Sequence, residues 1–417
     1  MKFEGATYRS DGLRGYMRSS CRYRTLKGDV ITIEFVFEEH LADWLSDSSN
    51  AWFVLGVTSA FLLGEDYTHD QEVDALLARN MRALVSQWHA QFPSRPLIEI
   101  TTAGTTIVPS AKEGGGLTTC LFTGGVDSSF TLAQRNEDID VLASASFRFG
   151  NTGSYEFLPA ARARYKQRTA STGKTAMLIG TNILAPFPEF KDAWSYLAHG
   201  PALAAMCHLF DRRMSSVIIS SSHQFGELIP WGSHPLTDPL LTSSRLAVEH
   251  YGTTYTRYEK VSALAHHPEL LKGLTVCGLP PDQKGSVVNC SKCQKCVRTM
   301  TALDLSCADR ATCSSFDWST FDARRIGEAQ LYHANEFLFF EELADGARTA
   351  GRPEIALAAQ NAIKRSAKFR SLATLEMKLR HRFPALTRSP WPARLKKKVL
   401  GALRSTPDAA PCRKPQV

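Results

Sequence analysis

The stretch LTTCLFTGGVDSSFTL, residues 117–132, decides the fold. It opens with a short apolar run, 117–123, that is typical of a buried strand, and a helical pattern follows from Ser128. Between them, Gly124 and Gly125 let the backbone fold into a concave nest of N–H groups at the start of the helix. Because the helix dipole favours negative charge there, such a nest binds phosphate or pyrophosphate.

The loop itself supplies the predicted phosphate-binding groups, which are backbone N–H groups and hydroxyls. The residues concerned are Thr123, Gly124, Gly125, Val126, Asp127, Ser128 and Ser129. Asp127 would repel a phosphate, so it either orients the loop or helps to hold Mg²⁺. No Gly-Lys-Ser/Thr follows, so the loop is not the P-loop of GTPases and kinases. The alternative is a simple Gly-Gly turn with an aspartate cap.

Further apolar runs at 141–147, 175–181 and 216–222 alternate with helical patterns at 155–171 and 194–210. This alternation predicts an α/β fold with a doubly wound parallel sheet. Ligands of such sheets bind beyond the carboxyl ends of the strands, where the candidate site residues of this chain lie.

Composition divides the chain into four segments. They are an N-terminal α+β domain (1–112, strands 28–37 and 96–101, helices 50–63 and 70–92), a central α/β domain that carries the glycine loop (117–310), a helical extension (311–384, helices 328–347, 353–364 and 367–382) and a basic, disordered tail (385–417). The glycine-rich segment 109–116 separates the first two.

The net charge of +8 is concentrated at the C-terminal end of the sequence. Residues 378–417 contain 11 Lys or Arg and one acid, which is 11 − 1 = +10, so the remaining residues sum to 8 − 10 = −2. We expect a solvated tail, with contact to nucleic acid or to an anionic membrane surface as the alternative. No secretory signal or membrane span is expected, so the predicted location is cytoplasmic. A protein partner or a homo-oligomer is left open.

Four cysteines lie within twenty residues: Cys277, Cys290, Cys293 and Cys296. A cytoplasmic chain seldom carries a disulfide framework, and C-x2-C-x2-C can turn three thiolates onto one ion. The spacing therefore predicts a closed Cys₄ zinc site, with an iron–sulfur cluster as the alternative. We expect Cys120 and Cys207 to be small buried side chains.

TGGVDSS, residues 123–129, resembles the SGGxDS signature of PP-loop ATP pyrophosphatases, with Thr123 in place of the usual serine. The resemblance implies that the chain binds ATP and Mg²⁺ and splits ATP between its α- and β-phosphates. Together with the cysteine cluster, it implies a closer similarity to 7-cyano-7-deazaguanine synthase over residues 117–310.

Other segments are similar to that family. Phe149, Gly150 and Asn151 resemble its FDYGQ-type nucleotide-binding segment, Asp238 its substrate loop, and Lys260 its late lysine. Arg298 follows the last cysteine, as an arginine does in the family. The chain departs from the family at Asn151, where a glutamine is usual, at His199-Gly200, where Arg-Asn is common, and in the loop 222–235. The resemblance therefore implies ATP use but not the second substrate.

The resulting expectation is a ligase-type enzyme that adenylates a carbonyl or carboxylate oxygen of a small, nucleobase-like substrate, which a nitrogen nucleophile then attacks. Asp127, Lys260 and Asp238 are the predicted catalytic residues, and Trp231 would stack on the base. Sulfur transfer to a nucleobase or tRNA is one alternative, and a nucleotide-binding scaffold is another. Single residues also have structural interpretations: Asp238 as a turn residue, Lys260 as a surface lysine, His223 and His234 as loop residues, and His199 as a core histidine.

Overall fold

The computed structural model describes residues 1–106, 115–186, 188–277, 287–332 and 334–382. These residues form a ten-stranded, mostly parallel sheet with helices on both faces, in agreement with the predicted α/β class. The basic tail predicted at 385–417 and its suggested contact with nucleic acid lie outside the described residues. Within the described ranges, no helix is both long enough and apolar enough to cross a membrane.

The strands are β1 (Lys2–Ser10), β2 (Tyr16–Arg24), β3 (Val30–Glu38), β4 (Tyr67–Asp74), β5 (Ile100–Thr106), β6 (Leu117–Leu121), β7 (Val141–Ser146), β8 (Thr175–Thr181), β9 (Met214–Ser220) and β10 (Ala247–Tyr251). The α-helices are α1 (Asn50–Leu63), α2 (Ala75–Gln91), α3 (Val126–Gln134), α4 (Phe149–Thr152), α5 (Leu158–Thr169), α6 (Pro188–Ala193), α7 (His199–His208), α8 (Arg257–Leu264), α9 (Pro268–Leu271), α10 (Gln294–Leu305), α11 (Ala334–Thr349) and α12 (Pro353–Arg382).

The strand order is β10-β9-β6-β7-β8-β3-β2-β1-β4-β5. Strands β6 to β10 are all parallel to their neighbours in this part of the sheet. The chain moves from β6 outward to β7 and β8, then returns to the other side of β6 to form β9 and β10. The order therefore reverses between β6 and β9, and such a switch point opens a crevice at the carboxyl ends of the strands.

The first predicted domain joins this parallel half through β3, which pairs with β8 in antiparallel fashion. Only two residue pairs form the register, Phe35 with Thr181 and Val36 with Gly180. The Asn182 side chain extends the junction: its Oδ1 accepts from Glu34 N at 2.8 Å, and its Nδ2 donates to the Thr32 carbonyl. The two predicted domains thus share one sheet.

Side chains alternate between two hydrophobic cores, one on each face of the sheet. On β9, Val217 and Ile219 enter one core and Ile218 enters the other, as the two-residue period of a strand requires. Helices α1, α2, α6 and α7 cover the first face, and α3, α5, α8 and α10 to α12 cover the second. The C-terminal helices are therefore part of the second core.

Several sequence-based boundaries need correction, whereas the helix predicted at 50–63 is confirmed as α1. The helix predicted at 70–92 begins at Ala75, because residues 70–74 belong to β4, which pairs with β5, and Asp74 caps the helix by accepting from Leu77 N. The strand predicted at 96–101 lies at Ile100–Thr106. The two helices predicted at 353–364 and 367–382 form one helix, α12.

Candidate functional site

The loop between β6 and α3 is shaped by its own residues. Gly124 has φ +73°, in the left-handed region that favours glycine, and Gly125 caps α3. The Ser128 hydroxyl donates to the Gly125 carbonyl and accepts from Thr123 N, both at 3.3 Å. The loop thus closes at the N-terminus of α3, where the first N–H groups of a helix have no intrahelical acceptor.

Neighbouring segments hold this loop from two sides. Thr275 N donates to the Gly124 carbonyl at 2.7 Å, which ties the loop to the chain that leads into the cysteine cluster. The Tyr165 hydroxyl donates to the Phe122 carbonyl at 3.0 Å, just before the loop. Within 4 Å, a Cβ atom at Gly125 would meet only Thr123 Oγ1 at 3.4 Å and the Thr275 carbonyl at 3.7 Å. The fold therefore leaves room for a methyl group there.

Asp127 binds two cations. Its Oδ2 lies 2.9 Å from Arg257 Nη2, and its Oδ1 lies 3.3 Å from Lys260 Nζ. Lys260 Nζ also donates to the Ser221 carbonyl at 2.6 Å, directly after β9. Lys260 therefore joins the ends of β6 and β9 in the switch-point crevice. Because both Asp127 oxygens pair with cations, the geometry favours the loop-orienting role of this residue over the role of Mg²⁺ ligand.

Helix α8 presents both cations on one face. Thr256 and Glu259 form a capping box that fixes its start, and residues 257 and 260 are three apart, so their side chains are neighbours. Lys260 is 2% exposed, and this burial lowers its pKa, an effect that Asp127 partly offsets. The lysine predicted from the family resemblance is thus a buried charge in contact with the loop, not a surface residue.

Arg298 adds a third cation behind Asp127. Its guanidinium carbon lies 4.3 Å from the centre of the Phe339 ring, and that of Arg257 lies 5.2 Å from the same ring. Burial, with the positive charge of Arg257, lowers the pKa of Arg298 to about 10. Within the described ranges, the Arg298 side chain forms no hydrogen bond or ion pair, although Glu336, Glu342 and Asp127 act on it electrostatically. Three cations therefore lie close together behind the loop, and the carboxylate in direct contact with two of them is Asp127.

His223 and Trp231 extend the site away from the loop. His223 is 7% exposed, and burial together with the charge of Arg257 lowers its pKa to about 4, so the ring is neutral. Its Nε2 is buried without a hydrogen-bond partner among the described residues. The half-buried Trp231 ring meets His223 edge-on at 5.3 Å and His199 at 5.9 Å.

The structure assigns Asp238 a different place from the predicted substrate contact. The residue is fully buried, and its Oδ2 accepts from Ser233 Oγ at 2.5 Å and from His250 Nδ1 at 2.7 Å. Its Oδ1 accepts from His234 N at 3.1 Å. Since protein donors already occupy both oxygens, the geometry fits a residue that positions the loop better than one that pairs with a ligand.

The same loop docks on the helix that precedes β9, through two glycines. Gly200 N donates to the Gly232 carbonyl, and Gly232 N donates to the Ser195 carbonyl at 3.0 Å. Ser195 lies in a π-helical segment, Trp194–Ala198, a turn type that often marks functional sites. A side chain at Gly232 would lie 2.4 Å from His199 Nδ1, so this contact requires glycine.

The predicted nucleotide-binding segment Phe149-Gly150-Asn151 forms the one-turn helix α4 directly after β7. Since β7 is the parallel neighbour of β6, this turn lies at the same sheet edge as the loop. Phe149 packs on Tyr155 with 4.8 Å between ring centres, and Gly150 is exposed. The segment therefore lies at the edge of the sheet that carries the loop, and its contact with a nucleotide stays a prediction.

The four predicted metal ligands come together. The sulfur atoms of Cys277, Cys290, Cys293 and Cys296 all lie within 4.8 Å of one another. The Cys290–Cys296 and Cys293–Cys296 separations are 3.8 and 3.6 Å, far longer than a disulfide bond. A hydrogen bond between the two thiols lowers the pKa of Cys293 to about 5 and raises that of Cys296. This cluster could hold a metal ion.

Comparison with protein-family models, curated proteins and solved structures finds no match for this chain. The site must therefore be interpreted from its own geometry.

Sequence reasoning missed three residues of this region, Arg168, Arg257 and His250. Arg257 had a usable signal, because it is three residues before Lys260 and shares its helix face. His250 and Arg168 lie on an ordinary strand and an ordinary helix, and only the tertiary structure brings them to Asp238 and to the loop.

Proposed function

We propose that this chain binds ATP at the loop 123–129 and transfers its AMP group to an oxygen atom of a second substrate. The observation that carries the proposal is the cluster of Lys260, Arg257 and Asp127 at the N-terminus of α3, in the switch-point crevice. Phosphate groups bind at such helix termini, and ligands of doubly wound sheets bind at such crevices.

The reaction needs positioning and fixed positive charge. A carbonyl or carboxylate oxygen attacks the α-phosphorus, the bond between this phosphorus and the bridging oxygen breaks, and pyrophosphate leaves on the loop. Lys260, Arg257 and the N–H groups of the loop stabilise the charge that develops on pyrophosphate. Mg²⁺ would enter with the phosphates and neutralise part of their charge. Asp127 keeps the two cations directed at the loop.

The second substrate is a planar polar molecule such as a nucleobase. Trp231 supplies an aromatic surface, and the neutral His223 supplies a ring nitrogen that has no protein partner among the described residues. A nitrogen nucleophile then displaces AMP from the activated oxygen. Asp238 takes part by holding the segment that carries Trp231.

Sulfur transfer is the second candidate, and the cysteines give it less support. A sulfur carrier needs an accessible thiolate. Burial raises the pKa values of Cys120 and Cys207 to about 12 and that of Cys313 to about 11. Among the described cysteines outside the metal cluster, Cys307 is exposed, but it lies after α10 and not at the loop.

The metal of the cysteine cluster is zinc in this proposal. Four sulfurs at about 2.3 Å from one tetrahedral ion lie about 3.8 Å apart, close to the two separations in the structure. An iron–sulfur cluster would bind its cysteines through separate iron atoms and hold their sulfurs farther apart. Four cysteine ligands close the coordination sphere, so the ion stabilises the fold and takes no part in the reaction.

The test is release of AMP and pyrophosphate from ATP by the full chain, incubated with pools of small metabolites. Lys260→Met should lower pyrophosphate release at least about 100-fold, the scale of one lost transition-state donor. Gly125→Ala should also lower it, because the fold accepts a methyl group there but a phosphate would not. Lys166→Met, at an exposed position of α5, is the control.

Release of ADP and phosphate instead would contradict the proposal, and so would full activity of Lys260→Met. ATP binding without AMP or pyrophosphate release in any pool would favour the scaffold alternative.

A further inference from the structure

Arg168, in the last turn of α5, has its side chain against the first glycine of the loop. A Cβ atom at Gly124 would lie 3.4 Å from Arg168 Cδ and 3.5 Å from Arg168 Nε. A Cβ atom at Gly273 would lie 3.3 Å from Arg168 Cγ. The arginine therefore passes between two glycines, and a side chain at either would meet it.

In the part of the chain that the structure describes, the Arg168 side chain has no hydrogen-bond or ion-pair partner. Its Nε is buried without a hydrogen-bond partner among the described residues. The Tyr165 ring, 5.5 Å from the guanidinium carbon, is its aromatic neighbour, and among the described residues no carboxylate shifts its pKa. Arginine stays protonated at neutral pH, so the charge is partly desolvated and unpaired. A buried, charged donor without an acceptor lowers the stability of the fold unless a ligand accepts its hydrogen bond.

The positions of the cations define the shape of the anion they would bind. Arg168 lies at Gly124, whereas Lys260 and Arg257 lie at Asp127, so positive charge flanks both ends of the loop. His223 lies beside the Asp127 group, 7% exposed and with an unpartnered Nε2. A single phosphate held by the N–H groups of the loop would need cations at only one end of the loop. A pyrophosphate group carries charge on two phosphorus atoms and can reach both.

We propose that Arg168 binds the pyrophosphate part of ATP from outside the loop and retains it after the bond to the α-phosphate breaks. The inference rests on the proposed function and assigns to it a residue from a different helix. Arginine suits the task, because its planar fork can donate two parallel hydrogen bonds to a phosphate group. Arg168 is a binding residue here, since its guanidinium would touch the leaving group and not the attacked phosphorus.

The experiment measures binding of inorganic pyrophosphate, ATP and AMP to the full chain with Mg²⁺, by calorimetry. Arg168→Gln should raise the Kd for pyrophosphate and ATP at least about tenfold, the scale of a charge-assisted hydrogen bond, and leave the Kd for AMP unchanged. The Kd values of Arg168→Lys should lie between those of the wild type and of Arg168→Gln, since lysine keeps the charge but lacks the planar guanidinium that donates two parallel hydrogen bonds. Arg164→Gln, exposed on the same helix, should match the wild type.

Equal pyrophosphate affinity in Arg168→Gln and the wild type would overturn this inference and leave the proposed function standing. Equal losses for pyrophosphate and AMP, with a lower unfolding midpoint, would also overturn it, because Arg168 would then only support the loop. A wild-type chain that binds neither pyrophosphate nor ATP would overturn the proposed function itself.

Discussion

Lys260 and Arg298 hold positive charge at positions that water hardly reaches. Burying a charge costs several kcal/mol unless a partner compensates it. For Lys260 the compensation is partial, because Asp127 is shared with Arg257 and the Ser221 carbonyl is neutral. The charge of Arg298 is compensated by the face of the Phe339 ring and by carboxylates at longer range. Under the proposed function, a bound polyphosphate would add negative charge beside these cations, so we expect ATP to raise the free energy of unfolding.

Asp238 gives a prediction at the scale of one atom. Asp238→Asn replaces an oxygen that accepts hydrogen bonds with an NH₂ group, and one of the three protein donors then faces another donor. We expect the free energy of unfolding in urea to fall by about 1–3 kcal/mol. Asp192→Asn, exposed on α6, should have little effect. Unchanged stability combined with lost turnover would instead favour the direct substrate contact that the sequence predicts.

Helix α8 carries the cations, and the C-terminal extension fixes its position. A side chain at Gly346 in α11 would lie 2.4 Å from the Tyr258 ring, so the two helices can pack only because this residue is glycine. The Glu342 carboxylate, also in α11, accepts from Tyr258 N at 3.2 Å. Phe339 of the same helix contacts Arg257 and Arg298. The extension therefore forms the rear wall of the site.

The cysteine cluster gives a prediction at the scale of an element. The purified chain should carry about one zinc ion, and Cys293→Ser should lower both the metal content and the unfolding midpoint. ATP affinity should fall with them, because Thr275, which holds Gly124, lies two residues before Cys277. Cys307→Ser, exposed and outside the cluster, is the matched control. Iron with acid-labile sulfide, or an unchanged midpoint after metal loss, would contradict this prediction.

At the scale of the whole molecule, the sequence predicted four of the five strands in the parallel half of the sheet, missed β10, and missed much of the rest. The runs that became β6 to β9 are apolar and regularly spaced, so their pattern was sufficient. β4 reads YTHDQEVD, and its acids resemble the start of a helix until pairing with β5 decides otherwise. Polar strands such as β1 depend on neighbours that are distant in sequence.

The residues of the candidate site likewise divide into those that the sequence predicted and those that it missed. The loop and the four cysteines carry local signals, namely glycines and C-x2-C spacing, whereas Lys260 was predicted from the family resemblance. Arg168 carries none, because its importance comes from its contact with Gly124 across the fold. Residues that complete a site from another element escape sequence patterns for this reason.

Acid should destabilise the molecule through its buried histidines. His69 is enclosed by Tyr67 and Ser49, and burial lowers its pKa to about 4. The unfolded chain binds this proton near pH 6.5, so between about pH 6.5 and 4 the unfolded state holds more protons than the folded one. Stability is therefore complete above pH 6.5 and decreases as the pH falls, by about 3 kcal/mol from His69.

The measurement is the free energy of unfolding at pH 7 and pH 4.5. His69→Gln should show a smaller decrease than the wild type, because glutamine does not titrate, and His40→Gln, at an exposed position, should show the full decrease. Equal decreases in the wild type and His69→Gln would mean that His69 does not contribute.

The rear wall formed by α11 also bears on how the protein is made. The loop and Asp127 leave the ribosome long before Phe339, Glu342 and Gly346 do, since these residues lie far later in the sequence. A nascent chain that ends within α10 holds Arg257 and Arg298 without the ring they stack on. Under the proposed function, we expect ATP to find a complete site only after synthesis has passed α11, so nucleotide binding would mark a chain that has been translated beyond this helix.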